Sequence, residues 1–322
     1  MLYRIPVSTV GYWHSPWQIH QFLLPIERFI HRNPMLQLDP ISKTTHQHSG
    51  HKGLVMAIGG AEDKVRGRQI LTTFCQRAGG LDAVIGVIPS ASREPDAMGR
   101  LYHDIFRDIG VREVDILLVG DRADAEQEEM LARLSRCTGI FMSGGDQLRL
   151  SALLDETPLL YQLRHQVWEG KSILGGTSAG AAVLGECMIA SGGSNEAPNR
   201  SLVDLATGLG ILPDVLVDQH FHNRNRLARL ISAISAHPDK LGVGIDEDTC
   251  AMFEADGTLR VLGRGSVTIV DPRDVSYTNY AHVDVNEPLS IYNLRLHILS
   301  DGDCYNLRTH QVQHKCILPP LN

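Results

Sequence analysis

The 322-residue sequence predicts an α/β fold, with a mostly parallel sheet flanked by helices and an antiparallel C-terminal edge. Three observations carry this expectation. Short apolar runs such as Leu54-Val-Met-Ala-Ile58 and Ala83-Val-Ile-Gly-Val-Ile88 alternate with stretches of helical spacing, and a strand that is polar on neither face belongs in a sheet covered on both sides. The turns rich in glycine and serine all follow such runs, where open α/β sheets bind their ligands. Beyond residue 267 the pattern changes to short alternating segments, as antiparallel strands at an edge require.

In chain order, the strand at 54–58 closes on Gly59-Gly60, and residues 65–78 have helical spacing ended by Gly79-Gly80. A strand at 83–88, a helix at 97–109 ended by Gly110, a strand at 114–119, a helix at 123–137 and a strand at 140–142 follow. Further apolar runs lead to the turns at residues 176, 218 and 246, and segments 275–280 and 291–299 form the antiparallel edge. No internal repeat is apparent.

Gly176-Thr-Ser-Ala-Gly180 lies between the strand-like Lys171-Ser-Ile-Leu-Gly175 and the helix-like Ala181-Ala-Val-Leu. A serine at such a turn exposes its hydroxyl at the tip of a sheet, and flanking glycines remove the Cβ groups that would obstruct it. Ser178 is therefore the candidate nucleophile. A hydroxyl needs a base, and His220, where the run Val215-Leu-Val217 gives way to a helix, is placed to supply one. The base needs an acid to fix its tautomer. Asp246, Glu247 and Asp248, at the end of Gly242-Val-Gly-Ile245, are equal candidates on pattern alone. The resulting order is Ser, His, acid, whereas α/β-hydrolases run Ser, acid, His; that scheme would require His297, His310 or His314 as base, in a tail without strongly apolar strands.

Gly144-Gly145 closes another strand and can present an amide to a developing oxyanion together with the amide of Ala179, while Asp146 is a natural helix N-cap. Gly59-Gly60 lacks the continuation of a nucleotide-binding loop. Arg224, Arg226 and Arg229 follow the candidate base closely, and arginine captures carboxylates through a planar fork. They are expected to anchor substrate.

The motifs Gly59-Gly-Ala-Glu-Asp63, Pro89-Ser-Ala-Ser92, Ser143-Gly-Gly-Asp-Gln147, Gly176-Thr-Ser-Ala-Gly180 and Asp218-Gln-His-Phe with Arg224, Arg226 and Arg229 resemble the serine peptidase family of cyanophycinase and the aspartyl dipeptidase peptidase E. The similarity runs from about residue 51 to near the C-terminus. It implies a fold like the class I glutamine amidotransferases, with Ser178 as nucleophile, His220 as base and Glu247 as its acid. It further implies a substrate pocket lined by Gln147, Asp218, Gln219, Arg224, Arg226 and Arg229. The implied reaction is hydrolysis of cyanophycin, a polyaspartate bearing arginine, to β-Asp-Arg dipeptides. An aspartyl or isoaspartyl dipeptidase is the alternative enzyme, and a silent binding protein on the same fold the alternative class.

Composition agrees with an enzyme. With 43% hydrophobic residues the chain can bury a large core, and a net charge of -7 without a basic stripe speaks against nucleic acid as partner. The six cysteines form no CxxC pair or metal spacing, so free thiols in a reducing compartment are expected. No cofactor or metal is expected. With neither a secretory signal nor a membrane span in view, a cytoplasmic protein, taken as a homodimer, is the expectation. Residues 1–50 read as an extension and linker ahead of a catalytic domain at 51–322. They carry Trp13 and Trp17 and should pack on the domain or a neighbouring subunit. His46, His48 and His51 lie in the linker-like stretch and are not read as metal ligands.

Overall fold

The computed structural model describes residues 52–194 and 196–315. The N-terminal extension with Trp13 and Trp17, and the stretch with His46, His48 and His51, lie outside the described residues.

The first half alternates strand and helix: β1 (Val55–Ile58), α1 (Gln69–Arg77), β2 (Val84–Ile88), α2 (Pro95–Ile109), β3 (Glu113–Ile116), α3 (Glu128–Ser135), β4 (Gly139–Met142), α4 (Gln147–Leu154), α5 (Pro158–Trp168) and β5 (Ile173–Thr177). A one-turn helix α6 (Ala179–Ala182), the hairpin β6 (Cys187–Gly192) and β7 (Val203–Thr207), then β8 (Val215–Gln219), α7 (Leu227–Ala236) and β9 (Leu241–Ile245) follow. The remainder is β: β10 (Thr249–Phe253), β11 (Thr258–Gly263), β12 (Val267–Asp271), β13 (Tyr277–Thr278), β14 (Ile291–Tyr292), β15 (Arg295–Leu299), β16 (Cys304–Asn306) and β17 (Gln311–Gln313).

A nine-stranded sheet has the order β17-β16-β11-β10-β1-β5-β4-β2-β3. Its β1-β5-β4-β2-β3 half is parallel, and β10, β11, β16 and β17 join antiparallel. Strands β1, β2 and β4 are buried along their whole length, as their unbroken apolar runs require. On one side, Phe74 of α1 and Tyr102 and Phe106 of α2 close on Phe141 of β4, with ring centroids 4.7 to 5.4 Å from Phe141. Four large rings buried this way form a stiff floor under the centre of the sheet.

The expected α/β fold is the one found, and the antiparallel portion is larger than expected. It begins at β10 rather than at residue 267, and β12 and β15 leave the main sheet for a second one ordered β15-β12-β9-β8. Alternation in a sequence reports which faces are buried, not which sheet a strand joins. Two helices also differ from expectation. α1 starts at Gln69, not near residue 65, because the Asp63 carboxylate takes the amides of Val65, Arg66, Gly67 and Arg68 into a turn. The 123–137 segment divides into a 3-10 turn at Asp124–Glu126 and α3. Of segment 275–280 only Tyr277–Thr278 is strand.

The two sheets meet at the site. Ser178 leaves β5 of the large sheet, whereas His220 and Glu247 leave the parallel pair β8 and β9 of the small one.

Candidate active site

Ser178 sits at a sharp elbow with φ 53° and ψ -109°, outside the regions a non-glycine residue favours. Its glycine neighbours make this possible: a Cβ on Gly176 would lie 2.3 Å from the Gly180 carbonyl oxygen, and one on Gly180 2.4 Å from that of Met142. The turn is held on its helical side by amides of Ala181 and Ala182, which donate to the Ser178 carbonyl at 3.0 and 2.9 Å.

β8 and β9 run in parallel with Gln219 opposite Ile245, so the residues just past each strand come together. His220 Nδ1 is 2.6 Å from Glu247 Oε1, and His220 Nε2 is 3.0 Å from Ser178 Oγ. Ser178, His220 and Glu247 therefore form one continuous hydrogen-bonded line. The acids on either side of Glu247 are engaged elsewhere. Asp246 accepts from the His222 amide and from Ser266, and Asp248 accepts from the Asp63 amide. Of the three carboxylates that pattern alone could not separate, Glu247 is the one on the imidazole.

Burial holds the His220 imidazole below its ordinary pKa of 6.5, and the cationic Arg224 and Arg226 push the same way, against the opposing pull of Glu247. A neutral ring at neutral pH is the form that can accept a proton from Ser178.

The amide of Ala179 belongs to the first turn of α6, where amides have no partner within the helix. Gly144 faces Ser178 closely enough that a Cβ would stand 3.2 Å from Ser178 Cβ. Gly145 has φ 149°, and the Asp146 side chain caps α4 by accepting from the Leu148 and Arg149 amides. The strand-to-helix turn and the presentation of backbone beside Ser178 are thus the same structure. A hydroxyl, a neutral imidazole held by a carboxylate, and amides at the mouth of a helix are the components of acyl transfer.

The profile of peptidase family S51 matches residues 54–261. The cyanophycinase of Trichormus variabilis is 57% identical over 276 residues, covering 86% of this chain and 93% of that protein. The chain belongs to peptidase family S51. The cyanophycinase of Geminocystis herdmanii is 57% identical over 257 residues, covering 80% of this chain and 94% of its own. Among solved structures, that of a peptidase from an acI-B1 Actinobacterium superposes with a TM-score of 0.57 at 22% identity, covering 80% of this chain and 98% of that one, a likeness of fold.

The remaining residues expected at this S51 site divide into two groups. Gln219 Oε1 accepts from Ser178 Oγ at 3.3 Å, so it touches the candidate nucleophile itself. Gln147 donates to the carbonyls of Ile189 and Ala190 and fastens the β6–β7 hairpin to α4. Arg224 is exposed on the 3-10 turn His222–Arg224.

Arg226 and Arg229 differ from the expectation of open anchoring cations. Both are buried, and both face Asp218, which is 1% exposed as a side chain. Arg229 reaches its two oxygens through Nε and a terminal nitrogen at 2.7 and 2.5 Å. Arg226 also donates to the Gln219 carbonyl. A buried carboxylate must be paired, so these two arginines hold Asp218 and the backbone beside His220, and Arg224 alone among the three is exposed.

Pattern reading left the Gly59–Asp63 loop without a role. A Cβ on Gly60 would lie 2.4 Å from His220 Cε1 and 2.5 Å from Nε2, so the ring rests on that glycine. The sequence signal was available in the Gly-Gly pair, but a close approach to a side chain 160 positions away has no local signature.

Proposed function

We propose that this chain is a cyanophycinase, a serine exopeptidase that hydrolyses cyanophycin to β-Asp-Arg dipeptides through an acyl-enzyme. The observation that carries the mechanism is the line from Ser178 Oγ through His220 to Glu247, at 3.0 and 2.6 Å. His220 takes the Ser178 proton as Oγ attacks the aspartyl carbonyl, and Glu247 stabilises the imidazolium that forms. The Ala179 amide and the Gly144-Gly145 backbone hold the oxyanion. The imidazolium then protonates the leaving amine, and water, deprotonated by the same ring, releases the acyl group. Arg224 meets a substrate carboxylate beside the base, and Gln219 and Gln147 border the same pocket, whose wall is kept by the Asp218 ion pairs.

The 57% identity to cyanophycinases over most of both chains supports this substrate over a short aspartyl peptide. The protein acts as a cytoplasmic homodimer in this reading, with residues 51–322 as the catalytic domain; no helix among the described residues is long and apolar enough to cross a membrane. Incubation of purified protein with cyanophycin, followed by mass spectrometry of the soluble products, tests the reading. β-Asp-Arg is the expected product. Turnover of isoaspartyl dipeptides with cyanophycin untouched would favour the dipeptidase instead.

A further inference from the structure

Glu62 is one of the most deeply buried charged groups of the described residues, at 3% exposure, and it lies outside the Ser-His-Glu line. Its carboxylate accepts from Tyr102 Oη at 2.5 Å and from Thr177 Oγ1 at 2.5 Å, and pairs with Lys64 Nζ at 2.7 Å. Thr177 is the residue immediately before Ser178. Tyr102 belongs to the aromatic floor beneath the sheet, stacked on Phe106 and 4.7 Å from the Phe141 centroid. Glu62 therefore connects the elbow to the aromatic cluster of the core.

The segment that carries Glu62 also gathers the rest of the site. Three consecutive carbonyls, of Ile58, Gly59 and Gly60, accept the amides of Ser178, His220 and Asp248 at 2.9, 2.8 and 2.9 Å. The Asp63 amide closes the same loop onto Asp248. Nucleophile, base and the residue after the acid thus hang from one short stretch of backbone. Glu62 adds a side-chain connection between that stretch and the elbow to these backbone bonds.

We propose that Glu62 is a positioning residue for the reaction: through Thr177 it holds the strained Ser178 elbow in register with the loop that seats His220. The inference rests on Ser178 being the nucleophile. A group needed for stability alone would be as well served by an apolar side chain, since desolvating a carboxylate costs more than burying a hydrocarbon of the same size. A carboxylate with three donors, one of them adjacent to the nucleophile, fixes geometry that an apolar contact would leave loose. Hydroxyl-to-carboxylate bonds are short and directional, and errors of about 1 Å in a reacting group cost on the order of 100-fold in rate.

The test uses Glu62→Gln, Thr177→Val and the double variant in the full chain, with Ser178→Ala as control. Two quantities are read: the rate at which a fluorophosphonate labels the protein at Ser178, and kcat and KM for dipeptide release from cyanophycin. Each single variant is expected to slow labelling and lower kcat at least ~10-fold, with KM changed by less than about threefold. The double variant is expected to be no slower than Glu62→Gln, because both changes break one connection. Thr177→Val preserves shape and leaves Glu62 two donors, so it reports on the connection even where Glu62→Gln lowers the melting temperature. Labelling and kcat of Thr177→Val within about twofold of wild type, or losses that multiply in the double variant, would overturn the proposal. A wild-type protein that does not label at Ser178 would instead overturn the assignment of the nucleophile.

Discussion

The imidazole of His220 occupies the space where Gly60 would carry a side chain, with Cε1 2.4 Å and Nε2 2.5 Å from the missing Cβ. Gly60 also has φ 96°, which other residues rarely adopt. Gly60→Ala should therefore push the ring off the line between Ser178 and Glu247. The expected result is a fall in kcat on the order of 100-fold, larger than any change in KM. Steady-state kinetics beside a thermal melt would check it, and near wild-type kcat would mean that the ring has another seat.

The site should also show a characteristic pH profile. Burial and the nearby arginines depress the His220 pKa, so, with His220 as the proposed base, the acidic limb of kcat/KM should lie below the ordinary imidazole value of 6.5. Arg224→Ala removes one depressing charge and should move the limb to higher pH. Glu247→Gln removes the group that raises the pKa, so the limb should move lower while the rate falls steeply for want of a stabilised imidazolium. Shifts of the same sign in both variants would contradict the electrostatic assignment.

Asp218 and Arg229 predict a different phenotype. Both are buried and bonded through two atoms each, so Arg229→Ala removes the two-bond partner of a buried carboxylate, leaving it the 3.4 Å contact with Arg226, and should cost about 3 kcal/mol of stability, read by denaturant unfolding. Arg224→Ala should leave stability nearly unchanged and weaken use of cyanophycin by roughly 1.5 to 3 kcal/mol in kcat/KM. Arg224→Lys should recover only part of it, since the ammonium lacks the planar fork.

Glu247, with Asp246 and Asp248 as comparators, gives the sharpest test of the site's geometry. Glu247→Gln should reduce kcat far more than Asp246→Asn or Asp248→Asn, whose carboxylates serve backbone amides and Ser266 rather than the ring. Equal losses from all three would mean that the local fold was being disturbed.

These contrasts also mark what was legible in the sequence. Ser178 and His220 could be read because each stands where an apolar run ends at a turn, and the chemistry of a hydroxyl needing a base links them. The alternating elements of the first half were legible for the same reason, since strands buried on both faces leave unbroken apolar runs. The choice among Asp246, Glu247 and Asp248 was not, because it depends on the register of β8 against β9. Nor was the second sheet, because the pattern of a strand reports which of its faces are covered and not which sheet it joins. The burial of Arg226 and Arg229 was hidden because an arginine on an amphipathic helix looks solvated until its carboxylate partner, here on a strand, is located. Glu62 was visible only as part of a motif; its partners Tyr102 and Thr177 are distant in sequence.

The most direct measurement is dipeptide release from cyanophycin by the purified wild-type chain and by Ser178→Ala, followed by mass spectrometry under the same conditions, with folding of both confirmed by circular dichroism. The variant lacks one hydroxyl at a partly exposed turn and should fold as the wild type does. Wild type should release β-Asp-Arg and the variant essentially none. Comparable release by both would show that the hydrolysis does not pass through Ser178.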